Sequence, residues 1–286
     1  MAFKWKKGKK GDGEMSFLEH LEELRWHIIR SIIAIVVFMI LAFVFKNFIF
    51  DHVILAPKNA DFFTSRMLTK FFGININKEP LNLISIKMSG QITTHIIVSL
   101  VAGLILAFPV IIWEFWKFFK PALHTNEAQH ARGAVLASTL LFFMGVLFGY
   151  YLLAPLSIHF LSSYRISEDV VNQINIRSYI GTITSICLAT GIIFELPIIA
   201  FFLTRIGVIT PDFMRKYRKY AIVVIFIVAA IITPPDVFSQ ILVSIPLLLL
   251  YEVSIFISGQ VVKRKEKDHA DFMKDDTSVD TGNATT

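Results

Sequence analysis

Residues 16–50 read SFLEHLEELRWHIIRSIIAIVVFMILAFVFKNFIF, an acidic helix start that runs unbroken into an apolar stretch. Ser16 and Glu19 have the spacing of a capping box, which opens a helix by satisfying its first free amides. Phe17, Leu18, Leu21, Leu24 and Ile28 then form an apolar stripe, because positions three and four apart share a helical face. Glu19, Glu22 and Glu23 occupy the remaining surface, with Glu22 placed to pair with Arg25 at i,i+3. Arg25 marks the lipid boundary. Three carboxylates at the mouth of a chain with net charge +6 call for a basic ligand.

The composition places that helix in a membrane protein. Hydrophobic residues make up 55% of the 286 positions and charged residues 17%, against about 25% charged in a soluble domain. Runs long enough to cross a bilayer, which takes about 20 apolar residues, fall at roughly 26–50, 83–113, 134–160, 179–203 and 237–257. A sixth, Tyr220–Ile232, spans about 20 Å against a core of about 30 Å. It stops at Thr233-Pro234-Pro235-Asp236, a turn that ends a helix sharply. Either that helix tilts beside its neighbours or the bilayer thins around it. Six spans put both termini on one side. Lys and Arg crowd the N-terminal segment, the second and fourth connections and the tail, so that side is cytoplasmic. The long first connection, with Lys46, Lys58, Arg66, Lys70, Lys78 and Lys87, is the exception. Residues 1–15 read as a basic flexible segment, 16–259 as the membrane domain, and 260–286 as a charged, disordered cytoplasmic tail.

Few residues carry chemistry. Glu195 sits inside the fourth span, where an acid costs a few kcal/mol and usually faces a bundle interior or a wet cavity. Pro197 removes the backbone bond to the Ile193 carbonyl and kinks the helix. A structural reading makes Glu195 an acid bonded to a neighbouring helix; the functional reading, a polar cavity residue, is preferred. Glu114 and Glu252 read as interfacial caps near span ends. Asp236 reads as a cap for the sixth helix, and Gln240 is placed to bond across helices. Glu127, in the second connection, is by itself a solvated loop carboxylate. His20, Glu23 and His27 share a helical face, but histidines seven apart lie about 10.5 Å apart, too far for one metal. Cys187, the single cysteine, lies in an apolar run, so neither a disulfide nor a cysteine metal site forms. No phosphate-cradling or nucleophile-elbow motif appears, so neither enzyme chemistry, nor a cofactor, nor nucleic-acid binding is expected.

Four motifs together resemble the TatC family of twin-arginine protein translocases. They are His20-Leu21-Glu22-Glu23-Leu24-Arg25, then Pro109-Val110-Ile111 with Trp116-Lys117-Phe118 and Pro121-Ala122-Leu123…Glu127. Phe194-Glu195-Leu196-Pro197 and the 233–240 stretch TPPDVFSQ follow in order. The resemblance implies six transmembrane helices in a cupped, concave all-α bundle of the bacterial cytoplasmic (inner) membrane, without catalysis. It implies a receptor and scaffold for twin-arginine signal peptides of folded proteins, with export driven by the proton motive force. Glu23 and Glu127 would be its binding carboxylates, with Arg25 and Phe118 nearby. Glu195 and Pro197 would be the intramembrane polar site. Pro234, Pro235, Asp236 and Gln240 would form the outer turn and the contact with small single-span TatA/TatB-type subunits; self-association is also implied. A stretch around Asn59–Pro80 is longer than the family usually has, and the basic segment Lys4–Lys10 is additional, suited to anionic lipid. The alternative from another class is a proton-coupled small-solute transporter that uses Glu195 as its relay.

Overall fold

The computed structural model describes residues 17–59, 62–72, 81–119, 131–167, 169, 172–233 and 237–282. The acidic stretch and the apolar run behind it form one helix, α1 (Phe17–Val44). It breaks at Phe45 into a short α2 (Lys46–Phe48) and a π-helical turn, Ile49–Ile54. The first connection holds a ten-residue helix, α3 (Phe63–Phe72). The bundle continues with α4 (Gly90–Phe119), α5 (Ala131–Phe148) and a π-helical turn, Gly149–Leu153, that leads into α6 (Ala154–Ser163). Next come α7 (Ile176–Ile193), α8 (Leu196–Arg205), α9 (Pro211–Lys216), α10 (Arg218–Ile232) and α11 (Val237–Gly282).

Among the described residues, five helical segments are long and apolar enough to cross a membrane: His20–Val44, Gly90–Phe118, Gly133–Ser163, Ile176–Arg205 and Gln240–Lys267. The expected fifth span is α10, whose 15 residues reach about 22 Å, so the sixth crossing is not met by length. Two boundaries differ from the sequence reading. Within the otherwise helical fold, β1 (Leu83–Ile84) pairs in parallel with β2 (Ile174–Asn175), Leu83 opposite Ile174 and Ile84 opposite Asn175. The second span therefore starts at Gly90 and not at Leu83. The tail is also helical as far as Gly282. Residues 260–281 contain neither glycine nor proline, and extending an existing helix needs no new nucleus.

Apolar side chains line the outside. On α1, Ile33, Val37, Ile40 and Val44 form an exposed stripe, as expected where lipid replaces water. The opposite face meets α4 closely: a Cβ on Gly103 would lie 2.7 Å from the Met39 backbone nitrogen. Small residues at such crossings let backbones approach in a bilayer. Behind this pair, α7 packs on α4 and α5, while α8 and α10 pack on α11. A buried cluster of Val98, Ala154, Ile158, Ile180, Ile183 and Cys187 fills the centre of the first group.

At the end of the bundle away from Glu23, the connections are fastened to one another. Tyr150 donates its hydroxyl to the Val53 carbonyl at 2.7 Å, and Tyr179 donates to the Ile54 carbonyl at 3.0 Å. The β1–β2 pair adds a backbone tie between the first and third connections. Part of the long 59–80 stretch is thereby accounted for, since α3 docks here; residues 60–61 and 73–80 lie outside the described residues.

Candidate functional site

Helical spacing puts His20, Glu23, His27 and Arg30 in one row on α1, and the row faces the end of α4. Phe118 stacks on the His20 ring at 4.4 Å and 19° and meets His27 edge-on at 6.1 Å. The phenyl ring is held between two imidazoles one turn either side of Glu23. Glu23 itself is half-buried and has no hydrogen bond or ion pair among the described residues. Its neighbour on α4 is the reverse. Glu114 is 5% exposed and takes three partners: His27 Nδ1 at 2.7 Å, Arg30 at 3.2 Å and Lys117 at 2.8 Å. One carboxylate is saturated, and the other is available to a ligand.

Glu114 is therefore not the interfacial cap that its place near a span end suggests, but a bridge from α4 to α1. The signal was present as two i,i+3 pairs, His27/Arg30 and Glu114/Lys117, at the same end of adjacent spans. Each pair alone reads as ordinary boundary charge, and only the fold joins them. Arg25 is also placed differently from expectation: its guanidinium lies 5.6 Å from the centre of the Trp26 ring, with no ion pair to Glu22 among the described residues. Glu252 pairs with Arg218 at 2.8 Å and so links α11 to α10. Glu127 falls outside the described residues, so its distance from Glu23 is not given by this structure.

Deeper in the bundle, the helix breaks where Pro197 demands it. α7 ends at Ile193, α8 starts at Leu196, and Glu195 occupies the turn between them. Its amide donates to the Ile192 carbonyl at 3.1 Å in a tightened turn. Its carboxylate accepts from Ser138 on α5 at 2.6 Å. The other carboxylate oxygen, Oε1, is buried without a partner among the described residues. An unmatched buried acceptor costs about 1–3 kcal/mol, so Glu195 keeps a strong unused capacity for a donor. Gln240 on α11 donates to the Phe226 carbonyl of α10 at 3.1 Å, the cross-helix bond its position suggested. Pro234, Pro235 and Asp236 lie outside the described residues.

These features define a multi-pass α-helical membrane protein with ionisable side chains set at helix boundaries. The family described as "Sec-independent protein translocase protein (TatC)" matches residues 19–246. A TatC of Blattabacterium sp. subsp. Periplaneta americana is 41% identical over 268 residues, covering 90% of this chain and 100% of that one. The TatC of Aquifex aeolicus is 36% identical over 262 residues, covering 89% of this chain and 98% of that one. A crystal structure described as "Twin Arginine Translocase Receptor- TatC" has a TM-score of 0.66 at 36% identity, covering 85% of this chain and 100% of that one. This chain belongs to the TatC family. It is a multi-pass membrane subunit of the Sec-independent Tat protein-transport machinery, which works with other Tat subunits; the family is one of transport and not of enzymes.

Proposed function

We propose that this subunit is the receptor for twin-arginine signal peptides and the scaffold on which the export complex assembles. The observation that carries the reading is Glu23, a half-buried carboxylate without a partner among the described residues, flanked by the Phe118 ring and its two histidines. A guanidinium binds a carboxylate through two parallel hydrogen bonds and stacks on flat rings. Two arginines want two carboxylates, and Glu127 is the proposed second. Exposed ion pairs contribute about 0–1 kcal/mol, so the shielding at the α1–α4 boundary favours binding here over the basic surface around it.

The rest of the proposal follows from the family and from charge. The chain would cross the inner membrane six times as a cup, with both termini cytoplasmic, where Lys and Arg concentrate. Glu195, with its unfilled oxygen and the Pro197 kink, would be the polar contact inside the membrane. The 234–240 segment would receive TatA/TatB-type single-span partners, and copies of the subunit would associate. The proton motive force would drive export.

Photocrosslinking from positions 23 and 127 to a twin-arginine peptide in native membranes tests the core claim. A crosslink from each position is expected, and the one from position 127 should be lost on Glu23→Gln while the protein still inserts. Undiminished capture of the peptide after both carboxylates are neutralised would refute it. Solute uptake by this chain alone in liposomes, abolished by Glu195→Gln, would instead favour a proton-coupled transporter.

A further inference from the structure

The helix in the long first connection has a place and a surface that the export reading does not use. α3 is fixed by two contacts on its inner side. Thr64, 2% exposed, donates its hydroxyl to the Tyr151 carbonyl, and Phe62 stacks on the Tyr151 ring at 5.6 Å and 15°. Tyr151 lies roughly 27 Å along the helix axis from Gly133, where its membrane segment begins. A hydrocarbon core is about 30 Å thick. That segment runs on to Ser163, but Tyr150, next to Tyr151, bonds the Val53 carbonyl of the first connection. Val53 lies beyond the end of the first segment at Val44, so α3 is held near the far side of the apolar layer, opposite Glu23.

What α3 turns outward suits that depth. Phe63, Arg66, Met67 and Lys70 follow the spacing i, i+3, i+4, i+7, and all four are exposed, Phe63 at 63% and Met67 at 45%. Two large apolar groups and two basic side chains share one stripe. In water such a stripe would expose hydrocarbon for nothing. At a bilayer surface the apolar groups enter the acyl boundary while the long basic chains reach the phosphates. Exposed aromatic rings surround the same level, Phe48 at 62% and Tyr151 at 42%, as aromatic side chains do at membrane interfaces.

We infer that α3 is an interfacial helix whose Phe63/Arg66/Met67/Lys70 stripe binds anionic phospholipid in the leaflet opposite the Glu23 end. The inference is independent of signal-peptide recognition. The test uses the full chain with Met67→Cys carrying a bimane fluorophore, since the native Cys187 is buried. The protein is placed in phosphatidylcholine vesicles that contain brominated phosphatidylglycerol or, at the same fraction, brominated phosphatidylcholine. Bimane at Leu249→Cys, an exposed position on α11, confirms insertion, and Phe63→Cys repeats the measurement should Met67→Cys fold poorly. Quenching by both lipids is expected, with stronger quenching by the anionic one. Reversing Arg66 and Lys70 to glutamate should lower the anionic preference at least about fivefold, the effect of one basic residue near an anionic surface. Three results would overturn the inference: quenching by aqueous iodide alone, quenching by neither medium, as under a covering protein, or an anionic preference that charge reversal leaves unchanged.

Discussion

Replacing Glu114 with alanine removes one acceptor from three donors at once, and the structure fixes how that loss divides. His27 is 8% exposed, so a ring nitrogen left unbonded there costs about 1–3 kcal/mol. The side chains of Arg30 and Lys117 are 55% and 44% exposed. Both rehydrate when released, and such pairs contribute about 0–1 kcal/mol each. Glu114→Ala should therefore destabilise the protein by about 2–4 kcal/mol, and Lys117→Ala by less than about 1. Equilibrium unfolding in mixed micelles, followed by tryptophan fluorescence, measures both, since Trp113 and Trp116 flank Glu114 on α4. A double-mutant cycle should place most of the coupling between Glu114 and His27. If Glu114→Ala costs under about 0.5 kcal/mol, or Lys117→Ala costs as much, the buried His27 bond is not what fastens α1 to α4. Peptide capture by Glu23 should weaken with Glu114→Ala, because His27 holds one side of Phe118.

Ser138→Ala strips Glu195 of the Ser138 hydroxyl and should cost about 1–3 kcal/mol. Adding Glu195→Leu should recover most of that loss, and a double variant less stable than the single one would refute the account. Glycine substitutions should split by sign. Gly103→Ala meets the Met39 backbone, which cannot yield, and should destabilise by about 1–3 kcal/mol. Gly181→Ala in α7 meets nothing within 4 Å and should stabilise by up to about 1 kcal/mol through helix propensity. The same unfolding titration reads both.

The long apolar runs announced the spanning helices, and Phe194-Glu195-Leu196-Pro197 announced the break between α7 and α8, because proline acts on its own helix. Gln240 was legible for the same reason: its partner Phe226 lies on the adjacent short helix. What escaped the sequence is long-range. Glu114 meets His27 across 87 positions, and no local pattern says which boundary charges will meet. Thr64 finds Tyr151 in the same way. At the tail, composition reports the absence of a core, whereas continuity with α11 decides how far the helix runs. Glu23 stood out as an acid in a basic chain, but its selection over Glu19 and Glu22 came from the family motif, and its setting beside Phe118 emerged only from the fold.

The fastening of the connections by Tyr150, Tyr179 and the β1–β2 pair makes the two ends of the bundle mechanically unequal. Separating the helices at that end would first require breaking bonds to main-chain carbonyls and a strand pairing whose acceptors and donors find little water near lipid. At the Glu23 end, Arg30 and Lys117 already touch solvent and can exchange partners cheaply. The molecule is thus built like a box clasped along one rim, while at the other end the buried His27–Glu114 bond holds α1 to α4 as the exposed pairs around it open and close.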